Sequence, residues 1–254
     1  MPRPVLHVFN ISHYCEKARW ALEACGIDFE LRHLMVGAHR RIAAERGARV
    51  GTLPFLWTTA GCVSGSAAIV DWCEAASLAS PAPWKTGETD DTRALERRLD
   101  DVVGVHVRRF YYSDALFSMP AAVRPLFSQG LPWWQGFIVR LGWSRIVPIM
   151  RKGMDLGPAQ GLESRAALLR ELDWLDGLLA DGRPYLCGEH WSRADLAAAS
   201  LLAPLVAPPT HPILQMVAFP AQVRAAMAEW APRPILRHVA QCYARHRVAP
   251  VDAN

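Results

Sequence analysis

A chain of 254 residues is long enough for one large or two modest domains, and its 51% hydrophobic content can bury a sizeable core. The net charge is only +4, and no dense Lys/Arg block with interleaved aromatic residues occurs, so the composition does not indicate a nucleic-acid-binding protein. The most apolar run, residues 131–150, is interrupted by Arg140, Arg145 and Pro148, which makes it too broken for a membrane-spanning helix.

The cysteines are scattered, without the close pairs or the spacing typical of metal ligands, so we expect neither a disulfide framework nor a metal site. Residues 1–4 lead directly into an apolar run, and we therefore expect no signal peptide. These features predict a cytoplasmic protein with mostly free thiols. The cysteines are Cys15, Cys25, Cys62, Cys73, Cys187 and Cys242.

The first pattern along the chain is a buried strand over 5–9 that leads into a helix over 13–25. Ser12 stands where the helix begins, and serine is a preferred N-cap because its oxygen accepts hydrogen bonds from unpaired first-turn N–H groups. The same N–H groups and the helix dipole attract anions. Ser12 is thus either an ordinary cap or part of an anion site, and Gly26 ends the helix.

The next fifty residues continue a mixed α/β pattern. Leu53-Pro54 opens one of its strands, where proline is tolerated because it donates no ladder hydrogen bond. Gly65-Ser66 precedes another apolar helix. The order is β-α-β-α-β-β-α, a mixed four-stranded sheet, with the later elements predicted at residues 27–34, 38–47, 51–57, 62–63 and 67–79.

Beyond a Pro- and Gly-containing linker at 81–90, only helical patterns occur. Apolar stripes at helical spacing run through 95–110 and 162–179. Ser192 and Asp195 form a variant capping box before an apolar helix, so we expect a structural role for Asp195. The predicted domains are residues 1–80, a linker at 81–90 and an all-α domain at 91–254.

Taken together, these motifs resemble the cytosolic glutathione transferases, in particular the bacterial-like enzymes that use a serine or a cysteine. The matching motifs are Ser-His-Tyr-Cys-Glu-Lys-Ala-Arg-Trp-Ala-Leu at 12–22, Gly-Ile at 26–27, Leu-Pro at 53–54 and Ser-Ala-Ala-Ile at 66–69. The Ser-x-Ala-Asp turn at 192–195 extends the resemblance to the second domain. It implies a thioredoxin-like domain followed by an all-α helical bundle.

The resemblance also implies site residues. Ser12 matches the residue that hydrogen-bonds the glutathione sulfur, and a hydroxyl donor at a helix N-terminus would favour the thiolate over the thiol. Leu53 precedes Pro54, which matches the family's cis-proline, and the main chain of Leu53 would pair with the cysteinyl part of glutathione. Ser66 would bind the γ-glutamyl carboxylate. At Gly65 the family usually has Glu or Gln, so one contact to glutathione is missing here.

Several neighbouring residues are weaker candidates for the same site. Tyr14 lies beside Ser12 and could lend a donor. For the glycyl carboxylate of glutathione, His39, Arg40 and Arg49 are open alternatives. Cys15 is a possible alternative thiol, although its place one turn into the helix favours burial.

The segment 111–160 is rich in aromatic residues and has two interpretations. Its aromatic side chains either pack between helices or form an apolar wall that receives a second substrate. In the second case Tyr111, Tyr112 and Trp134 would line the pocket.

The predicted activity is the transfer of the glutathione sulfur to a small apolar electrophile, with glutathione as co-substrate, no metal and a homodimer as the family's assembly. Isomerisation, dehalogenation and peroxide reduction would use the same thiolate. A binding protein without turnover is the alternative, since a fold does not guarantee an activity. Disulfide exchange by a Cys-x-x-Cys pair is disfavoured because Ser12 replaces its first cysteine.

Overall fold

A computed structural model describes residues 3–48, 51–77 and 81–247 of the chain. These residues divide into two compact units. The first unit combines the chain up to Ala82 with Ala121–Ile149, and the second contains Pro83–Pro120 and the chain from Met150 onward. The predicted linker at 81–90 stays a prediction, and the structure adds that Ala121–Ile149, within the predicted helical domain, packs with the first unit.

The first unit contains the predicted mixed sheet, in the order β2-β1-β3-β4. Strand β1 pairs in parallel with β2 and antiparallel with β3, which pairs antiparallel with β4. The predicted β-α-β-α-β-β-α order is confirmed. The elements are β1 (Val5–Val8), α1 (His13–Ala24), β2 (Glu30–His33), α2 (Ala38–Glu45), β3 (Phe55–Thr58), β4 (Gly61–Ser64) and α3 (Ser66–Ala76).

Apolar side chains explain why these elements fold together. Helices α1 and α3 pack against each other and bury Leu22, Ile69 and Val70. On α2, Ala43 packs with Phe55 of β3. Burial of such side chains stabilises a fold by about 1.5–3 kcal/mol each, relative to exposure.

The remaining described elements are helices, as predicted. A π-helical turn, Leu99–Val103, joins α4 to α5, and a 3₁₀ turn at Arg124–Phe127 precedes α7. In the described ranges, no helix combines the length and the apolar character needed to cross a bilayer. The helices are α4 (Thr92–Arg98), α5 (Gly104–Ser118), α6 (Pro120–Val123), α7 (Trp133–Gly153), α8 (Pro158–Leu178), α9 (Arg193–Val206), α10 (Ala221–Trp230) and α11 (Pro234–His246).

The second unit is held by polar contacts inside its core. The predicted capping box is confirmed: Ser192 Oγ accepts from the Asp195 N–H, and Asp195 Oδ2 accepts from the Ser192 N–H at 2.9 Å. Asp195 Oδ1 also accepts from the Leu186 N–H and lies 2.9 Å from His238 Nε2. Asp195 is completely buried among these partners, an environment that fits the structural role expected for it.

Candidate functional site

Three segments of the first unit meet at one edge of the sheet. His7 of β1 is in register with Phe55 of β3, and Phe55 with Ser64 of β4. Strands β1 and β4 both end at this edge, and β3, which runs the opposite way, begins there. The chain before α1, the turn before β3 and the start of α3 are therefore neighbours.

Ser12 occupies the N-cap of α1, as the sequence predicts. Its backbone is extended, with φ −82° and ψ 118°, and its Oγ accepts from the Cys15 N–H at 3.4 Å. The side chain is half-buried. A hydroxyl that accepts from the helix can still donate its own proton to an anion in front of the helix.

Cys15 lies beneath Ser12 and is a poor nucleophile in this structure. Its side chain is 3% exposed. Burial raises the pKa of the Cys15 thiol to about 12, against a smaller lowering effect of the hydrogen bond with Ser12. Cys15 therefore stays protonated at neutral pH, and the thiolate is the reactive form of a cysteine.

The peptide bond between Leu53 and Pro54 is cis. The Pro54 carbonyl accepts from the Gly65 N–H at 3.0 Å, which ties the turn before β3 to the start of α3. Leu53 is half-buried and packs on the cluster of Leu34, Ala43 and Phe55.

Gly65 is the N-cap of α3 and has φ +93° and ψ 151°, a region that is open almost only to glycine. A Cβ at this position would meet no atom within 4 Å, so the backbone conformation and not space favours glycine. Ser66, the first helical residue, is 6% exposed. The first turn of α3 contains no acidic side chain that would compete with an anion for its N–H groups.

His39 lies in α2, next to the end of β1. Its ring contacts the Phe9 ring edge-on, with 4.8 Å between centroids, and its Nδ1 accepts from the Gly37 N–H. Burial and the nearby Arg40 lower the pKa of His39, so the ring is mainly neutral at pH 7. Arg40 is exposed, and Arg49 lies outside the described residues.

The other candidates are divided between the two units. Tyr14 is half-buried beside the His13 ring. Trp134 is on α7 in the first unit and is exposed. Tyr111 and Tyr112 lie in the second unit; both are buried, and the Tyr111 hydroxyl donates to the Ala218 carbonyl at 3.1 Å.

The sequence did not predict that the segment 121–149 contacts the sheet edge at which the candidate site lies. Phe127 lies against Phe9, with ring centroids 6.3 Å apart, and against Trp143 at 5.7 Å. Gly130 passes so close to the His33 ring that a Cβ there would lie 2.5 Å from a ring atom. The only sequence signal was the aromatic richness of 111–160. The structure thus places the half-buried Phe9 ring beside the site, packed on Phe127, which is only 8% exposed.

The described part of the chain brings together no group of three or more His, Cys, Asp or Glu side chains that could hold a metal ion. The arrangement at the sheet edge consists of two helix N-termini, two serine hydroxyls, a neutral histidine and the half-buried Phe9 ring. It can hold a ligand with separated anionic groups and an extended backbone.

Comparison with known families gives two matches. Residues 6–81 match the glutathione S-transferase N-terminal domain, and residues 158–231 match the glutathione S-transferase C-terminal domain. A comparison with curated proteins found no match.

Solved structures of low sequence identity share the fold. Glutathione S-transferase I bound with lactoylglutathione is 17% identical, with 94% of this chain and 99% of that chain covered and a TM-score of 0.56. Gtt2 from Saccharomyces cerevisiae is 18% identical, with 92% and 99% covered and a TM-score of 0.54. The β-etherase LigF from Sphingobium sp. strain SYK-6 is 16% identical, with 94% and 99% covered and a TM-score of 0.57.

Proposed function

Because this chain belongs to the glutathione S-transferase family, we propose that it binds glutathione at the sheet edge of its first unit and uses the bound thiolate as a nucleophile. The reaction is the transfer of the glutathione sulfur to a small apolar electrophile. The position of Ser12 at the N-cap of α1, with its hydroxyl half-buried at that edge, is the observation that carries the proposal.

Ser12 supports the ionisation of glutathione through a hydrogen bond to its sulfur. A hydrogen bond to a charged partner contributes about 1.5–3 kcal/mol. Since one pKa unit corresponds to about 1.4 kcal/mol, the Ser12 hydroxyl lowers the pKa of the bound thiol by roughly 1–2 units. The positive end of the α1 dipole acts in the same direction.

The remainder of glutathione fits the other groups at the edge. The main chain of Leu53 pairs with the cysteinyl part, and the N-terminus of α3 with Ser66 receives the γ-glutamyl carboxylate. His39 donates to the glycyl carboxylate from α2. Gly65 offers no side chain to the γ-glutamyl amine, and we therefore expect weaker binding than a Glu or Gln at this position would give.

The half-buried Phe9 ring, backed by the buried Phe127, supports an apolar second substrate beside the sulfur. Other uses of the same thiolate are compatible with this arrangement, and the β-etherase among the similar folds illustrates how widely the fold's chemistry varies. Free thiols at all six cysteines support a cytoplasmic location, and the family resemblance supports a homodimer.

Calorimetric titration with glutathione, combined with turnover of an aryl halide, tests the proposal. We expect the native protein to bind glutathione and to form the conjugate, and Ser12→Ala to lose about 10–100-fold in turnover at neutral pH. Cys15→Ala is the matched control, because it removes a neighbouring polar atom from the same helix, and it should retain turnover.

Other outcomes of these experiments would lead to different conclusions about the site. Glutathione binding without turnover of any electrophile would favour the alternative of a binding protein. A native protein that binds no glutathione would refute the site altogether. Loss of turnover in Cys15→Ala with an unchanged fold would transfer the thiol role to Cys15.

A further inference from the structure

Helix α7 presents an apolar face to solvent in the first unit. Trp133, Phe137 and Leu141 follow at intervals of four residues and so form one row along the helix. The side chain of Trp133 is 84% exposed and that of Leu141 is 68% exposed. Ile138 lies beside this row and is also exposed. Contiguous exposed apolar surface of this kind marks an interaction site.

The buried face of the same helix accounts for its attachment to the first unit. Val139 and Trp143 point into the protein, and Trp143 contacts Phe127. The row of Trp133, Phe137 and Leu141 is on a different side and takes no part in that packing. The packing of α7 on the first unit therefore does not explain why apolar side chains occupy this row.

The charged residues of α7 and of the chain on either side of it have one sign. The segment 115–154 contains no Asp or Glu. Within α7, Arg140 and Arg145 are exposed among the apolar residues, and Arg151 and Lys152 follow in the last turn. This apolar face carries tryptophans and interspersed cations, and the segment around it in the sequence contains no acidic residue. It is therefore complementary to a surface with an apolar interior and a negatively charged boundary.

We propose that the exposed face of α7 binds the surface of an anionic phospholipid bilayer, with Trp133, Phe137 and Leu141 inserted at the headgroup boundary and Arg140 and Arg145 on lipid phosphates. Amphipathic helices with these features lie in the plane of the interface. The cations within α7 place it on the bilayer and not across it.

The same charges disfavour a second copy of this chain as the occupant. In a symmetric dimer the face would meet itself, and the arginines of one copy would approach those of the other without an acidic residue from 115–154 to pair with them. A lipid surface supplies the missing negative charge.

Co-sedimentation of the full chain with vesicles tests the proposal. We expect binding to vesicles of phosphatidylcholine mixed with phosphatidylglycerol, little binding to phosphatidylcholine alone, and loss of binding at high salt. The triple variant Trp133→Ser, Phe137→Ser, Leu141→Ser should lose at least about 10-fold in binding. Arg140→Glu combined with Arg145→Glu should lose roughly 30-fold or more, from about 1 kcal/mol per cation.

The control variant Leu162→Ser with Met216→Ser removes two exposed apolar residues elsewhere, and it should bind as the native chain does. Equal binding to both vesicle types, or none to either, would overturn the proposal. So would self-association of the native chain, measured by light scattering, that the triple variant abolishes without any effect on vesicles, because the occupant would then be a second copy. The charge-reversal variant keeps the test valid even if the triple variant fails to fold.

Discussion

Replacement of Gly65 by glutamine should change two properties of the first unit in opposite directions: its stability should fall and its affinity for glutathione should rise. At φ +93° and ψ 151°, any side chain strains the backbone, at a cost of about 1–3 kcal/mol. A Cβ there meets no atom within 4 Å, so steric overlap adds nothing to this cost. The strain is present with and without glutathione, and it therefore lowers the free energy of unfolding without weakening binding.

The glutamine amide would supply the contact to glutathione that Gly65 lacks. A hydrogen bond to a charged group contributes about 1.5–3 kcal/mol, which corresponds to a gain of roughly 10–100-fold in affinity. The matched control is Gly65→Ala, which introduces the strain without the amide. Denaturant unfolding should show the same destabilisation in both variants, and calorimetry should show tighter glutathione binding only in Gly65→Gln. Equal glutathione affinities for the two variants would refute the reasoning.

Three further predictions concern other groups. His39 is mainly neutral when free, and a bound carboxylate would raise its pKa. The ratio of glutathione affinities between the native protein and His39→Gln should therefore rise as the pH falls from 8 to 6 in calorimetry, because the loss of thiolate stabilisation at low pH is common to both proteins and cancels in the ratio. An affinity ratio that does not change with pH would contradict this role of His39. A hydrogen bond from the Cys73 thiol lowers the pKa of Cys25 to about 7. Alkylation followed by mass spectrometry should thus label Cys25 before Cys15, at a rate that increases as the pH passes 7, and preferential labelling of Cys15 would contradict this order. Asp195→Ala leaves buried N–H groups unpaired and should destabilise the second unit by at least about 3 kcal/mol in thermal unfolding, whereas a change below 1 kcal/mol would show that the buried bonds matter little.

Local signals predicted most of the fold, because each of them has a local physical cause. Ser12 and the Ser192–Asp195 pair satisfy N–H groups of their own helices, and Gly26 ends α1 with φ +64°. The second strand is shorter than the predicted 27–34. It begins at Glu30, whose N–H donates to the Pro4 carbonyl, and so pairing with β1 decides its length.

Features that depend on contacts between residues far apart in the chain could not be predicted from local sequence patterns. The packing of Phe127 on Phe9 joins residues more than a hundred positions apart, and no local period encodes it. Local patterns also leave the isomer of the Leu53–Pro54 bond open, since a proline at a strand entrance is compatible with either isomer. Only the family resemblance, in which the matching proline is cis, indicated the cis bond that the structure has. The pairing of Cys25 with Cys73 follows only from the contact of α1 with α3.

The ionisation of bound glutathione is the most direct test of the central claim. The absorbance of the thiolate, followed against pH as a difference from the glutathione-free protein, excludes the contribution of Cys25. We predict a midpoint at least about one unit below that of free glutathione, and a shift back by roughly 1–2 units in Ser12→Ala. The same midpoint in the native protein and in Ser12→Ala, or a midpoint equal to that of free glutathione, would contradict the account.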